Sequence, residues 1–133
     1  MKLLIITQVL DTEHPILGFF HRWVEEFASQ AELVHVIALQ IGTHKLPENV
    51  HVYSLGKEQG QSRIKYLWRL YRCIWKLRHS YDGVFVHMNQ QYVPLGYPLW
   101  KLLGKRIGLW YAHGAVSRSL RLAVRLADRK SVV

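Results

Sequence analysis

The sequence alternates short apolar runs with segments of helical periodicity, and this alternation restricts the fold more than any other feature. Strands are predicted at Lys2–Thr7, Leu33–Leu39, Val50–Leu55, Val84–His87 and Arg106–Tyr111, with a sixth beginning at Ser131–Val133. Helices are predicted from Phe19 to Phe27, over residues 62–79, over Pro94–Leu103 and over Ser117–Ala127. Strands that alternate with helices predict an α/β fold, a parallel sheet with helices on both faces joined by right-handed crossovers.

Length and composition set the class of protein. The 133 residues are half hydrophobic, which predicts a single domain over residues 1–133 with a substantial core. The lone cysteine, Cys73, excludes an internal disulfide and is interpreted as ordinary packing. No segment reaches the ~18–20 apolar residues of a membrane span. The predicted location is the cytoplasm, with attachment to the inner face of the membrane left open.

Positive charge is concentrated in the second part of the chain. Residues 1–58 carry four Lys/Arg and seven Asp/Glu, whereas residues 59–133 carry 14 and two. Six of these basic residues lie in Ser62–Arg78, interleaved with two Trp and two Tyr. A basic helix with an aromatic and aliphatic stripe is attracted to an anionic membrane surface or to a polyanion.

The basic helix carries its apolar residues at helical spacing, and this stripe is expected to pack on the sheet. The stripe comprises Ile64, Leu67, Trp68, Tyr71, Ile74 and Trp75. The predicted contacts with a membrane or polyanion are Arg63, Lys65, Arg69, Arg72 and Lys76. Near an anionic leaflet each such charge contributes ~1 kcal/mol. A second basic row is predicted on the last helix, at Arg118, Arg121, Arg125 and Arg129.

Candidate ligand-binding residues follow the carboxyl ends of strands one, four and five, where parallel sheets bind their ligands. Gly18 opens a helix whose backbone N–H groups can hold a phosphate, although a glycine there also serves a tight turn. His87 ends the fourth predicted strand, Asn89 follows it, and His113 follows the fifth. A neutral histidine at this edge can bind a hydroxyl or accept a proton, and the alternative is that each histidine braces the sheet.

Several common cofactor and metal motifs are missing from the sequence. There is no G-x-G-x-x-G and no G-x-x-x-x-G-K-[ST], which disfavours a dinucleotide fold and a P-loop. The histidines form no H-x-H or H-x-x-x-H pair, and no D-x-D is present. Neither a metal site nor a cofactor is therefore expected.

Five segments resemble the amino-terminal half of GT-B glycosyltransferases, most closely the family-four retaining enzymes. These segments are KLLIITQ, LGFFHRWVEEFA, LPENVHVYSLGKE, YDGVFVHMN and GLWYAHG, and the resemblance covers nearly the whole chain. It implies a Rossmann-like domain that binds the acceptor, facing a second domain that binds a nucleotide-sugar donor. It also implies catalysis without a metal, in agreement with the missing D-x-D.

The resemblance also assigns roles to individual residues. It implies that Gly18 approaches the donor diphosphate, that Asn89 borders the acceptor, and that His113 lies near the transferred sugar as the catalytic residue. His87 is kept as a binding candidate because it lies at the same predicted edge. Leu17 precedes Gly18, whereas family members often have two adjacent glycines. Members that act on lipid-linked acceptors attach to membranes through a basic, aromatic surface, which the helix at 62–79 can supply.

The resemblance further implies that the chain is incomplete at its carboxyl end and inactive alone, because a complete enzyme continues into a donor-binding domain. The implied partners are a nucleotide-sugar and a glycan or lipid-linked acceptor. One alternative is a non-catalytic basic module that binds nucleic acid, which is disfavoured because its aromatic residues are predicted to face the core. Another is a peripheral membrane adaptor. The sugar, the nucleotide and the oligomeric state stay open.

Overall fold

The structure is a computed structural model that describes residues 2–11, 13, 20–42, 44–57, 60, 62–87, 91–111, 125–126 and 129–132. These residues form six strands and three helices. The strands are β1 (Lys2–Leu10), β2 (Leu33–Ile41), β3 (Val50–Ser54), β4 (Gly83–His87), β5 (Arg106–Tyr111) and β6 (Arg129–Val132). The helices are α1 (Phe20–Gln30), α2 (Arg63–Lys76) and α3 (Tyr92–Leu102).

All described strands pair in parallel within one sheet of order β3-β2-β1-β4-β5-β6. The chain leaves β1 towards β2 on one side and leaves β4 towards β5 on the other, so the strand order reverses between β1 and β4. This doubly wound arrangement is the topology of Rossmann-like proteins. The predicted α/β fold with a parallel sheet is confirmed.

Helices cover both faces of the sheet because the central strands are apolar on both sides. On one face Leu4 and Ile6 of β1 join Leu70 and Ile74 of α2 and Trp100 of α3 in a buried cluster. The other face is covered by α1. There Leu3 and Ile5 join Phe20, Val24 and Ala28 in a second cluster.

Several element boundaries differ from the prediction. Strand β1 continues to Leu10 instead of ending at Thr7, because Val9 and Leu10 are buried and pair with β2, which itself extends to Ile41. Helix α3 begins at Tyr92 and not at Pro94. A proline is tolerated in the first helical turn, where no backbone N–H has an intrahelical partner. The helix predicted at Ser117–Ala127 lies largely outside the described residues.

The predicted buried face of α2 is wrong. Of the six residues assigned to the stripe, only Ile74 is buried, whereas Ile64 is 79% exposed, Trp68 61% and Trp75 48%. The residues that contact the sheet are Leu70, Ile74 and the adjoining Leu77, with Tyr66 and Cys73 half-buried beside them. The helix carries apolar residues on two sides, and it is rotated by about a third of a turn from the expected orientation.

Trp100 makes α3 intolerant of a larger residue at Gly96. A Cβ atom on Gly96 would overlap the ring of Trp100, which is fully buried, so the ring would have to shift within the core. We expect Gly96→Ala to lower the free energy of unfolding by about 1–3 kcal/mol, more than the ~0.5–1 kcal/mol that alanine contributes in a helix. Urea unfolding measures the difference.

The control is Leu102→Ala, at a position of α3 that is 76% exposed. That change should stay within about 0.5 kcal/mol. Equal or higher stability of the Gly96→Ala protein would contradict the packing described for Trp100.

Candidate functional site

The carboxyl ends of β1 and β4 lie side by side where the strand order reverses. In open α/β sheets, ligands bind in the crevice outside the strand ends at this position. Thr7 of β1 and His87 of β4 meet there, because Ile6 and Val86 are register partners and Thr7 and His87 are the next residue of each strand. Strand β4 ends at His87, whereas β1 continues to Leu10. The Thr7 Oγ1 and His87 Nδ1 atoms are 3.1 Å apart, in a buried hydrogen bond.

Aromatic rings from two other elements surround the His87 imidazole. It stacks nearly parallel to Phe20 of α1, at 3.8 Å between ring centroids, and to Trp110 of β5, at 4.9 Å. Trp23 of α1 meets His87 and Trp110 edge-on, at 5.7 and 5.0 Å. Trp110 is the register partner of His87 in the sheet. The cluster therefore joins α1, β4 and β5 at the strand ends.

Burial controls the charge of His87. The side chain is fully buried, and this burial lowers the pKa of His87 to about 4. The imidazole is thus neutral at physiological pH, with one ring nitrogen as donor and the other as acceptor. In this structure His87 braces the strand ends, which was the alternative to ligand binding. Its contact with a ligand stays a prediction.

The other candidate site residues, Gly18, Asn89 and His113, lie outside the described residues. The segments that contain them follow β1, β4 and β5 along the chain. Their proposed roles stay predictions. Thr7, Phe20, Trp23 and Trp110 were not recognised from the sequence. Two of them could have been noticed in the sequence. Thr7 is a polar residue near the end of a predicted apolar strand, and Trp110 is an aromatic residue near the end of another.

A cavity of about 480 Å³ opens near the opposite edge of the sheet. Its lining includes Leu3, Gly83 and Arg106 near the amino ends of three strands, and Phe27 and Ala31 at the end of α1. Its walls are mostly apolar. Since ligands of parallel sheets bind at the carboxyl ends of the strands, this cavity lies away from the candidate site.

The outer surface of α2 forms a second candidate site. We call Ile64, Leu67, Trp68, Tyr71 and Trp75 the exposed stripe. Two of its rings carry cations, since the guanidinium of Arg72 lies 5.2 Å from the centroid of Trp68 and that of Arg78 4.3 Å from Trp75. The Tyr71 hydroxyl donates to the Leu95 carbonyl at 2.7 Å, which ties the stripe to α3.

The predicted contact cations lie on the same helix as the exposed stripe. Arg63, Lys65, Arg72 and Lys76 are exposed and Arg69 is half-buried. Helix α2 contains no acidic residue. The helix therefore presents aromatic, aliphatic and cationic side chains together, a combination suited to the interface of an anionic bilayer.

Comparison with protein-family models and with curated protein sequences finds no significant match for this chain.

None of the helices in the described part of the chain combines the length and apolarity that a bilayer crossing requires. Within the same residues, no three His, Cys, Asp or Glu side chains are grouped so that they could share a metal ion.

Proposed function

We propose that this chain is the acceptor-binding half of a retaining glycosyltransferase that works at an anionic membrane surface. The observation that carries the proposal is the doubly wound parallel sheet, with its order reversal between β1 and β4. This topology makes a ligand crevice at the strand ends. The half-buried rings of Trp23 and Trp110 border that edge, and aromatic walls of this kind commonly line small-molecule sites.

The proposed enzyme moves a sugar from a nucleotide donor to an acceptor hydroxyl. In this scheme the donor is bound mainly by a second domain outside this sequence. Gly18 gives the donor diphosphate close access to the backbone, and His113 lies next to the transferred sugar. Asn89 borders the acceptor, and the buried His87 braces the strand that precedes Asn89 in the chain. The departing diphosphate is stabilised by preorganised hydrogen-bond donors and cations, with no metal required.

The exposed stripe supports the membrane part of the proposal. Removing an exposed apolar helix face from water lowers the free energy. The neighbouring cations are attracted to an anionic surface, so they favour an anionic membrane as the cover. A lipid-linked acceptor is the substrate that such an enzyme would meet at that surface. The acceptor crevice and the docking helix belong to one domain, so both would act on the same substrate.

Nucleic-acid binding is a second candidate, favoured by the exposure of the aromatic residues of α2. The prediction that the aromatic residues of this helix face the core, which disfavoured nucleic-acid binding, is wrong, since Trp68 and Trp75 face outwards. Base stacking on such rings with flanking cations is a common mode of single-strand binding. The membrane is the better fit because Ile64 and Leu67 are exposed in the same stripe. Aliphatic side chains can insert into lipid, but they offer no ring on which a base can stack.

The transferase proposal is tested with His113→Ala in the intact enzyme. Removing an acid–base group or a sugar contact next to the reacting carbon should lower kcat by about a hundredfold. The melting temperature should change little. Transfer is measured with a radiolabelled nucleotide sugar and a lipid-linked acceptor.

The matched control is His44→Ala, at an exposed position of the loop between β2 and β3. It should retain full transfer. Undiminished activity of the His113→Ala enzyme would remove the role given to that residue. A complete reading frame without a second nucleotide-binding domain would overturn the transferase proposal itself.

A further inference from the structure

Helix α2 and strand β3, at the end of the described sheet, border an open pocket of about 330 Å³, which we call the α2–β3 pocket. It lies at the β3 end of the sheet order, three strands away from β4 and its His87. Tyr53 and Ser54 come from β3, and the remaining lining residues come from α2 and its carboxyl end. These are Arg69, Arg72, Cys73, Lys76 and Leu77.

Three cations point to the chemistry of this pocket. Arg69, Arg72 and Lys76 are spaced three and four residues apart, so they share one side of the helix. None of them makes an ion pair with a carboxylate in the described part of the chain, and none of the described lining residues is acidic. Like charges at this spacing destabilise a helix. A bound anion would remove that repulsion.

The thiol of Cys73 lies within the field of these cations. Burial raises the pKa of the Cys73 thiol, and Lys76, Arg72 and Arg69 oppose that rise. All three cations therefore act on one point in the pocket. The three cations favour negative charge at that point, whereas burial of the thiol opposes it and is the larger effect on Cys73 itself.

Uncharged hydrogen-bonding groups complete the lining. Burial, followed by the nearby Cys73, raises the pKa of Tyr53, so its phenol keeps its proton at neutral pH. The Tyr53 hydroxyl lies 3.3 Å from His35 Nδ1. A proton on that nitrogen would leave the phenol hydrogen available to a ligand. The Ser54 hydroxyl accepts from the Gly56 backbone at 3.0 Å, which orients it at the end of β3.

We propose that the α2–β3 pocket binds a phosphate group. Two guanidinium groups and an ammonium match the charge and the oxygen geometry of a phosphomonoester, since arginine can hold two phosphate oxygens at once. The phosphate can belong to a lipid headgroup or to a free phosphate compound. Arg72 lines the pocket and also lies on the Trp68 ring, so the pocket adjoins the exposed stripe. The lipid source rests on the proposed membrane function, whereas a free phosphate compound does not.

The lone cysteine gives a direct test. Alkylation of Cys73 by iodoacetamide, an uncharged reagent, is followed while inorganic phosphate replaces chloride at constant ionic strength. Phosphate should slow the reaction severalfold and saturably, because it blocks the thiol and raises its pKa. An unchanged rate in the wild-type protein would overturn the proposal.

Two double variants separate the pocket from general charge. Arg69→Gln with Lys76→Gln removes two charges inside the pocket, and Arg63→Gln with Lys65→Gln removes two from the same helix outside it. Phosphate protection should disappear in the first and persist in the second. Equal protection in both would overturn the proposal, and circular dichroism melting verifies that both variants fold.

Vesicle binding identifies the source of the phosphate. Vesicles with phosphatidic acid carry a phosphomonoester headgroup, and vesicles with phosphatidylglycerol, matched in surface potential, do not. Bidentate contacts predict about a tenfold preference for phosphatidic acid. The pocket variant should lose this preference, and the Arg63/Lys65 variant should bind both vesicles more weakly while keeping it.

The remaining outcomes are also decisive. Phosphate protection of Cys73 without any lipid preference would assign the pocket to a free phosphate compound. Vesicle adsorption without phosphate protection would overturn the pocket proposal and leave the membrane function standing.

Discussion

Replacing Trp68 and Trp75 together by alanine is expected to weaken adsorption to anionic vesicles by about a hundredfold. Each ring is about half exposed, so burial at the interface removes roughly 100 Å² of apolar surface from water. At ~25 cal/mol per Å², and with only partial burial among headgroups, the two rings together contribute about 3 kcal/mol. Sedimentation with vesicles measures the partition coefficient.

The stability of this double variant should change by less than about 0.5 kcal/mol, because neither ring packs in the core. Leu102→Ala is the matched control, since it removes an apolar side chain that is 76% exposed on a different helix. Its adsorption should equal that of the wild-type protein. If vesicle binding persists without the two tryptophans, the exposed stripe is not the docking surface.

Acidification is expected to cost the protein about 3 kcal/mol of unfolding free energy through His87 alone. The pKa of His87 falls from 6.5 to about 4 on folding because the ring is buried. The unfolded chain therefore binds a proton at a higher pH than the folded protein does. Stability decreases as the pH falls from about 6.5 to about 4, and below that range the folded state is protonated as well.

Urea unfolding at several pH values tests this through His87→Phe combined with Thr7→Val. The phenyl ring can retain the stacking with Phe20 and Trp110, and the valine avoids an unsatisfied hydroxyl beside it. The double variant should lose about 3 kcal/mol less than the wild-type protein across this window. Some pH dependence should remain, since burial and then His51 lower the pKa of His35.

His79→Gln, at an exposed position, controls for the loss of a histidine as such. It should follow the wild-type pH profile. Parallel profiles for the wild-type protein and the Thr7/His87 double variant would show that the buried imidazole does not govern acid stability.

The order and type of the described elements could be predicted because they depend on local periodicity. Apolar runs such as that of β1 and the helical spacing of α1 are visible in single segments. The orientation of α2 could not be predicted in the same way. Leu70, Cys73 and Leu77 form one apolar side and Trp68 and Trp75 another, and only packing against the sheet decides between them.

The candidate sites likewise combine a part that local sequence patterns predict and a part that depends on packing between distant segments. The topology of alternating strands and helices placed His87 at the carboxyl edge of the sheet, as the structure confirms. Its enclosure depends on Phe20 and Trp110, which come from other elements. The α2–β3 pocket likewise joins Tyr53 to Arg69 across a crossover. Contacts between distant segments leave no periodic signal in a sequence.

The central position of β1 has a consequence for synthesis of the protein. Its first partner, β2, follows soon after it, but β4 is translated much later, since Thr7 and His87 are 80 residues apart. At ~5–20 residues per second, one edge of an apolar strand stays uncovered on the ribosome for roughly 4–16 s. Nascent chains of this protein should therefore depend on chaperones that shield unpaired strands until β4 emerges.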